Sequence, residues 1–146
     1  MKGRRLALLA LAVLCGLGLW VRFAPISADV VHRMGAGARD IGDWPDPEGF
    51  EAVRQVPAPK AALSDLIKIA LANGQTELLE GDADEGLVTL VTRSSLIGLP
   101  DITNLWIEGD RVHLRGHSVF EIIDLGGETR RAQERIRDWL ALAGLK

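Results

Sequence analysis

The segment Ile102-Thr103-Asn104-Leu105-Trp106-Ile107-Glu108-Gly109-Asp110-Arg111-Val112-His113-Leu114-Arg115-Gly116-His117-Ser118 decides the fold. Two runs that alternate apolar and polar residues flank Gly109-Asp110, a two-residue loop with glycine first, which is a tight-hairpin signal. A loop of that length sets the register. Ile107 opposes Val112, Leu105 opposes Leu114 and Thr103 opposes Gly116 on one apolar face. Glu108 opposes Arg111, Trp106 opposes His113, Asn104 opposes Arg115 and Ile102 opposes His117 on the other. A one-residue slip would exchange the faces, and their contrast in polarity argues against it. The apolar face is expected to pack on helices. The second face is polar and basic with a tryptophan in it, and it counts as core instead if Trp44 and Phe50 lie across it.

Working toward the amino terminus, residues 87–95 read as a strand rich in β-branched residues, broken by Gly98-Leu99-Pro100-Asp101. Residues 76–81 are a further strand, ended by the acidic turn 82–86. Residues 60–72 have Leu63, Leu66, Ile67, Ala70 and Leu71 at helical spacing, with Asn73-Gly74 as the stop. On the carboxyl side, residues 128–143 form a closing helix. Ala132, Ile136, Trp139, Leu140 and Ala143 make its apolar stripe, and Arg130, Arg131, Glu134, Arg135, Arg137 and Asp138 are expected to point outward. The order α-β-β-β-β-α predicts a two-layer α+β domain, a four-stranded antiparallel sheet with helices on one face, over residues 59–146.

Ahead of that domain, residues 24–59 carry five of the six prolines, with Gly35, Gly37, Gly42 and Gly49 among them. Proline fixes φ and removes a backbone donor, so residues 24–58 read as a tether with a short helical turn near residues 30–34. Trp44 and Phe50 are expected to dock on the domain as packing groups. Residues 1–5 are basic, and residues 6–21 contain no charge, with seven leucines and two valines. Those nine residues favour a membrane by about 4 kcal/mol. Residues 6–23 are therefore expected to be a transmembrane signal anchor, with residues 1–5 in the cytoplasm and the rest of the chain across the membrane. A cleaved signal peptide is the rival. It fits less well, because cuts after Ala28 or Ala24 put Ile26 or Arg22 where a small residue is needed. A lipoprotein signal at Cys15 meets Leu14 at the position that should be small.

The length of 146 residues allows one domain, and 47% apolar with 25% charged residues is an ordinary globular balance. Residues 1–22 hold four bases and no acid, whereas residues 23–146 hold 13 bases and 20 acids. A domain with that acidic surplus is ill suited to neutralising phosphates along a nucleic acid. One cysteine makes neither an internal disulfide nor a multi-cysteine zinc site.

Thr92-Arg93-Ser94-Ser95-Leu96-Ile97-Gly98-Leu99-Pro100-Asp101 resembles the central motif of the family called domain of unknown function 1499. Val112-His113-Leu114-Arg115-Gly116-His117-Ser118, followed by Asp124-Leu125-Gly126, resembles its second motif. The likeness extends over about residues 58–142 and rests on Ser94, Asp101, Ser118, Asp124 and Gly126 in that order. Val119, Glu121, Ile123 and Glu128 depart from it, where arginine, glycine, serine and asparagine are usual. The resemblance implies a short secreted or membrane-anchored bacterial protein, hence the inner membrane with the domain on the periplasmic side. It implies no reaction.

Ser94, Ser95, His113, His117 and Asp124 supply the residue types of a hydrolytic triad, but no Gly-x-Ser-x-Gly elbow presents a nucleophile. His113 and His117 lie about 13 Å apart on one strand face, too far to share a metal ion, and His32 is remote in sequence. No metal and no cofactor is expected. Asp124-Leu125-Gly126-Gly127 reads as a turn and helix cap, not a phosphate loop. Arg93, Arg115, Trp106 and His113, with Arg111, make a basic-aromatic face suited to an anionic headgroup, a carboxylate or a partner segment. Internal pairing of Arg111 with Glu108 is the alternative use of that charge. The expected function is a non-catalytic binding or assembly module of the bacterial envelope, with a protein partner or a lipid-like anionic ligand. The rival is a small hydrolase using Ser94 or Ser95 with His113 or His117 and Asp124. A structural subunit held through its anchor helix is the third possibility.

Overall fold

The computed structural model describes residues 2–35, 37, 39–95, 98–119 and 127–146. Asp124 and Gly126 of the second motif, and Leu96 and Ile97 of the first, lie outside the described residues.

Helix α1 (Lys2–Phe23) is the apolar segment. The most apolar 18-residue window within Gly3–Phe23 has a mean hydropathy of 2.2, and none of that window is buried against the rest of the chain. At 1.5 Å per residue it is about 30 Å long, which matches a bilayer's hydrocarbon core. A single turn, α2 (Ala28–Val31), follows.

The sheet has six strands, not four. Strands β1 (Gly42–Asp46) and β2 (Gly49–Gln55) come from the stretch whose prolines suggested a tether. The prolines are compatible with strands because of where they fall. Pro45 is on β1, an edge strand, where proline is tolerated. Pro47 and Glu48 form the two-residue turn between Asp46 and Gly49, with proline presetting φ. The Glu48 N–H donates to Asp46 Oδ1 at 2.9 Å. After β2 the chain forms α3 (Pro59–Leu71) and then the antiparallel run β3 (Thr76–Asp82), β4 (Leu87–Arg93), β5 (Pro100–Glu108) and β6 (Arg111–Ser118). It ends with α4 (Glu128–Leu142). The strand order is β1-β2-β6-β5-β4-β3, so β2 inserts beside β6 and the first hairpin extends the second.

The β5–β6 register is the one the loop predicts, from Glu108 opposite Arg111 to Ile102 opposite His117. Gly109 adopts a positive φ of 63°, as the first place of such a turn requires. The apolar face carries Phe50, Ala52, Val88, Leu90, Leu105, Val112 and Leu114. It forms one core with Leu63, Leu66 and Ala70 of α3 and Ala132, Ile136, Trp139 and Leu140 of α4. Both long helices of the domain therefore lie on that face. Phe50 is fully buried there, whereas Trp44 stays 38% exposed on the edge strand. Gly116 lets α4 approach, because a Cβ at that position would sit 2.8 Å from Ala132 Cβ. Asp43 on β1 pairs with Arg54 Nη2 of β2 at 2.7 Å within the first hairpin and ties that hairpin to α4 through Arg137 Nη2 at 2.9 Å.

Candidate functional site

The second sheet face, expected to be an open basic-aromatic surface, is covered. Trp106 is 2% exposed and His113 is 0% exposed, and their rings stack at 4.7 Å between centroids and 17° between planes. These two residues are thus corrected from binding surface to interior. The cover is neither Trp44 nor Phe50 but the strap that runs from α2 to β1. Val31 is buried on Val91 and Ile102. Its carbonyl accepts from Asn104 Nδ2 at 2.8 Å, and His32 Nδ1 bonds Thr89 Oγ1 at 2.8 Å. Gly35 lies flat on Trp106, since a Cβ there would come within 2.8 Å of Cη2.

Charge closes the far end of the strap. Glu51, 2% exposed, holds His113 Nδ1 at 3.1 Å through Oε1 and Arg39 Nε at 3.3 Å through Oε2. A carboxylate so deep needs paired donors, and one of them comes from the strap itself. On the other side of the ring, Glu108 Oε2 lies 3.4 Å from His113 Nε2, outside hydrogen-bond geometry. Arg111 turns to the strap rather than to Glu108, donating to the Arg39 carbonyl at 3.2 Å.

The two arginines of the expected face are separated. Arg115 is half-buried beneath Gly35, and Ser118 lies farther along the same strand. Arg93 ends β4 and lines a cleft of about 520 Å³ where the sheet edge meets α3 and α4. Ser94, Ser95 and Asp101 of the first motif line the same cleft, together with Arg131 and Arg135 of α4. The structure thus brings the arginine-serine and aspartate ends of that motif together.

Asp101 is the anchor of the cleft. It is 8% exposed and receives Arg135 Nη1 at 3.3 Å and Arg131 Nε at 3.8 Å. Arg135 also donates to Thr103 Oγ1 at 3.3 Å and lies over the Trp139 ring at 5.9 Å. Burial pushes the Arg135 pKa down, and the Asp101 charge and hydrogen bond oppose that shift. Arg93 differs from both. Its guanidinium makes one long contact, Nη1 to the Gly98 carbonyl at 3.5 Å, and among the described residues it has no ion-pair partner.

Arg131 and Arg135 are expected to face solvent; Arg131 remains 42% exposed, whereas Arg135, at 11%, turns toward the sheet. A signal for Arg135 is present in the spacing. It follows Ala132 by three residues and precedes Trp139 by four, so it shares the face of the apolar stripe.

Among the described residues, the serines and histidines of the hydrolytic constellation do not come together. Ser94 Oγ accepts from the Leu99 N–H at 3.1 Å. His113 lies level with Leu87, seven residues before Ser94 and so about 20 Å along the sheet. His117 Nε2 is bonded to Asn104 Oδ1 at 3.2 Å. Among the described residues neither serine hydrogen-bonds a histidine, and no group of three or more histidine, cysteine or acidic side chains could hold a metal ion.

The class defined is an α+β domain with a six-stranded antiparallel sheet, preceded by one apolar helix long enough to cross a membrane or to serve as a signal sequence. No family model, no curated protein and no solved structure matches the chain. The resemblance to domain of unknown function 1499 therefore rests on the two motifs alone.

Proposed function

We propose that the protein is a non-catalytic binding module of the bacterial envelope, akin to domain of unknown function 1499. In this reading α1 is a retained single-pass anchor in the inner membrane and the domain faces the periplasm. The cleft at the end of β4 takes the acidic group of a lipid-like ligand. The observation that carries the reading is Arg93, a guanidinium without an ion-pair partner among the described residues, lining a cleft of about 520 Å³. Its neighbours Arg131 and Arg135 are already occupied by Asp101.

The position of the anchor supports a ligand drawn from the membrane. The stem of Arg22, at the end of α1, packs on Gly98, so that a Cβ there would meet its Cγ at 2.8 Å. Gly98 also closes the loop that carries Ser94, through its N–H to the Ser94 carbonyl at 2.9 Å. Trp20 and Phe23 are exposed at that end of the helix, as interfacial aromatics are. The cleft thus opens close to where the chain would leave the bilayer. The hydrolase alternative has the serine–histidine separation against it.

The test is extraction of the full chain from native membranes in mild detergent, followed by native mass spectrometry. An anionic adduct that survives in the wild type and disappears in Arg93→Ala is the expected result. An adduct that Arg93→Ala leaves in place, or a wild type that carries none, removes the ligand assignment. A discrete protein partner in place of an adduct would make the chain an assembly subunit, and replacing α1 would then be decisive.

A further inference from the structure

On the strap-covered face there is a second hollow, of about 50 Å³, which shares no lining residue with the cleft. Arg33 and Gly35 of the strap form one side of it. Asn104, Arg115 and His117 of the sheet form the floor, and Glu48 sits at the rim. One ordered water needs about 10–15 Å³ of such space, so the hollow has room for a few waters or one small ion.

Two guanidiniums converge here without acceptors. Arg115 Nε is buried and has no hydrogen-bond partner. Neither Arg115 nor Arg33 has a side-chain hydrogen bond or ion pair with any described residue. The rest of this face is fully committed. Asn104 spends its amide on Val31, Thr89 and His117, while Arg39 and His113 hold Glu51. The strap removes water from above Arg115 and supplies no acceptor in its place. A buried donor left in that state is unfavourable, and an oxyanion that accepts in the plane of the fork removes the deficit. Among the described residues, the charged side chains lining the hollow are Arg33, Arg115 and Glu48, a net charge of +1.

We infer that this hollow binds one small oxyanion, a phosphate or carboxylate group of single charge. Arg115 is the buried fork and Arg33 is the outer clamp. The strap closes over the ion, so the site exists only while residues 31–35 lie on the sheet. The inference does not depend on the cleft at Arg93.

The experiment uses the full chain in detergent, titrated calorimetrically with inorganic phosphate and, separately, with acetate, at ionic strength matched with sodium chloride. Saturable binding is expected in the wild type, and the site at Arg115 is expected to persist, at one ion per chain, in Arg93→Gln, where any contribution of the cleft is removed. Arg115→Gln should weaken it by about tenfold or more, the scale of a lost charge-assisted contact. Arg33→Gln changes an exposed side chain, leaves the fold intact and should weaken binding in the same direction. Saturation by phosphate alone assigns a phosphate group, and saturation by acetate alone assigns a carboxylate. Absence of saturation with both ions overturns the inference. So does unaltered binding in Arg33→Gln and Arg115→Gln. Loss in Arg93→Gln with retention in Arg115→Gln would move the anion to the cleft and refute this site alone.

Discussion

Asp101→Asn is the substitution that tests the cleft's architecture most directly. The change keeps the shape of the side chain and one acceptor oxygen, and it deletes the charge between Arg131 and Arg135. The two arginines are not equal. Arg131 is 42% exposed, so its 3.8 Å contact is a surface pair worth about 0–1 kcal/mol. Arg135 is 11% exposed opposite an Asp101 side chain at 12%, and removing one partner of a buried pair costs about 3–5 kcal/mol. The 3.3 Å separation is longer than a charge-assisted bond prefers, and the remaining amide oxygen still accepts. Both facts reduce the cost to about 2–3 kcal/mol, within the range for a hydrogen bond to a charged group. For a chain of this size that lowers Tm by about 6–12 °C. The assay is urea or thermal unfolding of the solubilised chain, followed by far-ultraviolet circular dichroism. Arg135→Met added to Asp101→Asn removes the stranded charge and should recover about 1 kcal/mol or more, a non-additivity expected of contacting residues. A cost below about 0.5 kcal/mol for Asp101→Asn, or strict additivity in the double variant, would refute a buried pair at the base of the cleft.

Other consequences concern separate parts of the fold. Partial burial pushes the Asp43 carboxyl up, but the hydrogen bonds and charges of Arg54 and Arg137 outweigh it and hold the pKa below the unfolded value of 3.8. A depressed carboxyl contributes stability that is present above the unfolded value and lost as pH falls through the lower folded value. Asp43→Asn should therefore destabilise the protein at neutral pH and flatten the acid limb of a Tm-against-pH curve below about pH 4, and an unchanged acid limb would contradict the assignment. Gly116→Ala drives a methyl to 2.8 Å from Ala132 Cβ and 3.3 Å from Ile136 Cδ1. It should cost about 1–3 kcal/mol in denaturant titrations, with partial relief from Ala132→Gly. Gly35→Val puts a side chain into Trp106 and should raise amide exchange of residues 31–35 while β3 and β4 keep their protection; unchanged exchange would mean the strap tolerates the bulk.

Much of the architecture was open to inference from local pattern because its determinants are close in sequence. The β5–β6 register needs only Gly109-Asp110 and the alternation on either side. The α3 and α4 stripes need only helical spacing. The first hairpin was hidden because Pro45 and Pro47 carry the same signal in a tether, an edge strand and a turn. What separates these cases is the pairing of β2 with β6, between Gly49↔His117 and Gln55↔Arg111, far apart in sequence, and no local pattern encodes it. The strand alternation of Phe50, Ala52 and Arg54 is short, and Val53 interrupts it on the other face.

The site was less legible for a related reason. Polar residues on a sheet face next to a tryptophan suit either a ligand or a strap of the same chain, and their identities alone do not choose. The choice lies in complementary groups elsewhere: the Val31 carbonyl for Asn104, His32 for Thr89, and Arg39 for Glu51 and so for His113. Once these are paired off, Trp106 and His113 become the seat of the strap. Arg93 and Arg115 are left over, on two different hollows, and neither has an acceptor within the described residues that matches its charge. Internal pairing is the first use a folding chain makes of buried charge, because an unpaired ion is costly. The cations that escape it are where binding of an external anion gains most, and the strap makes the two cases unequal. Arg93 stands in an open cleft and can keep water as its partner. Arg115 has its Nε shut off from water, so an anion there contributes to the stability of the strap as well as being held by it.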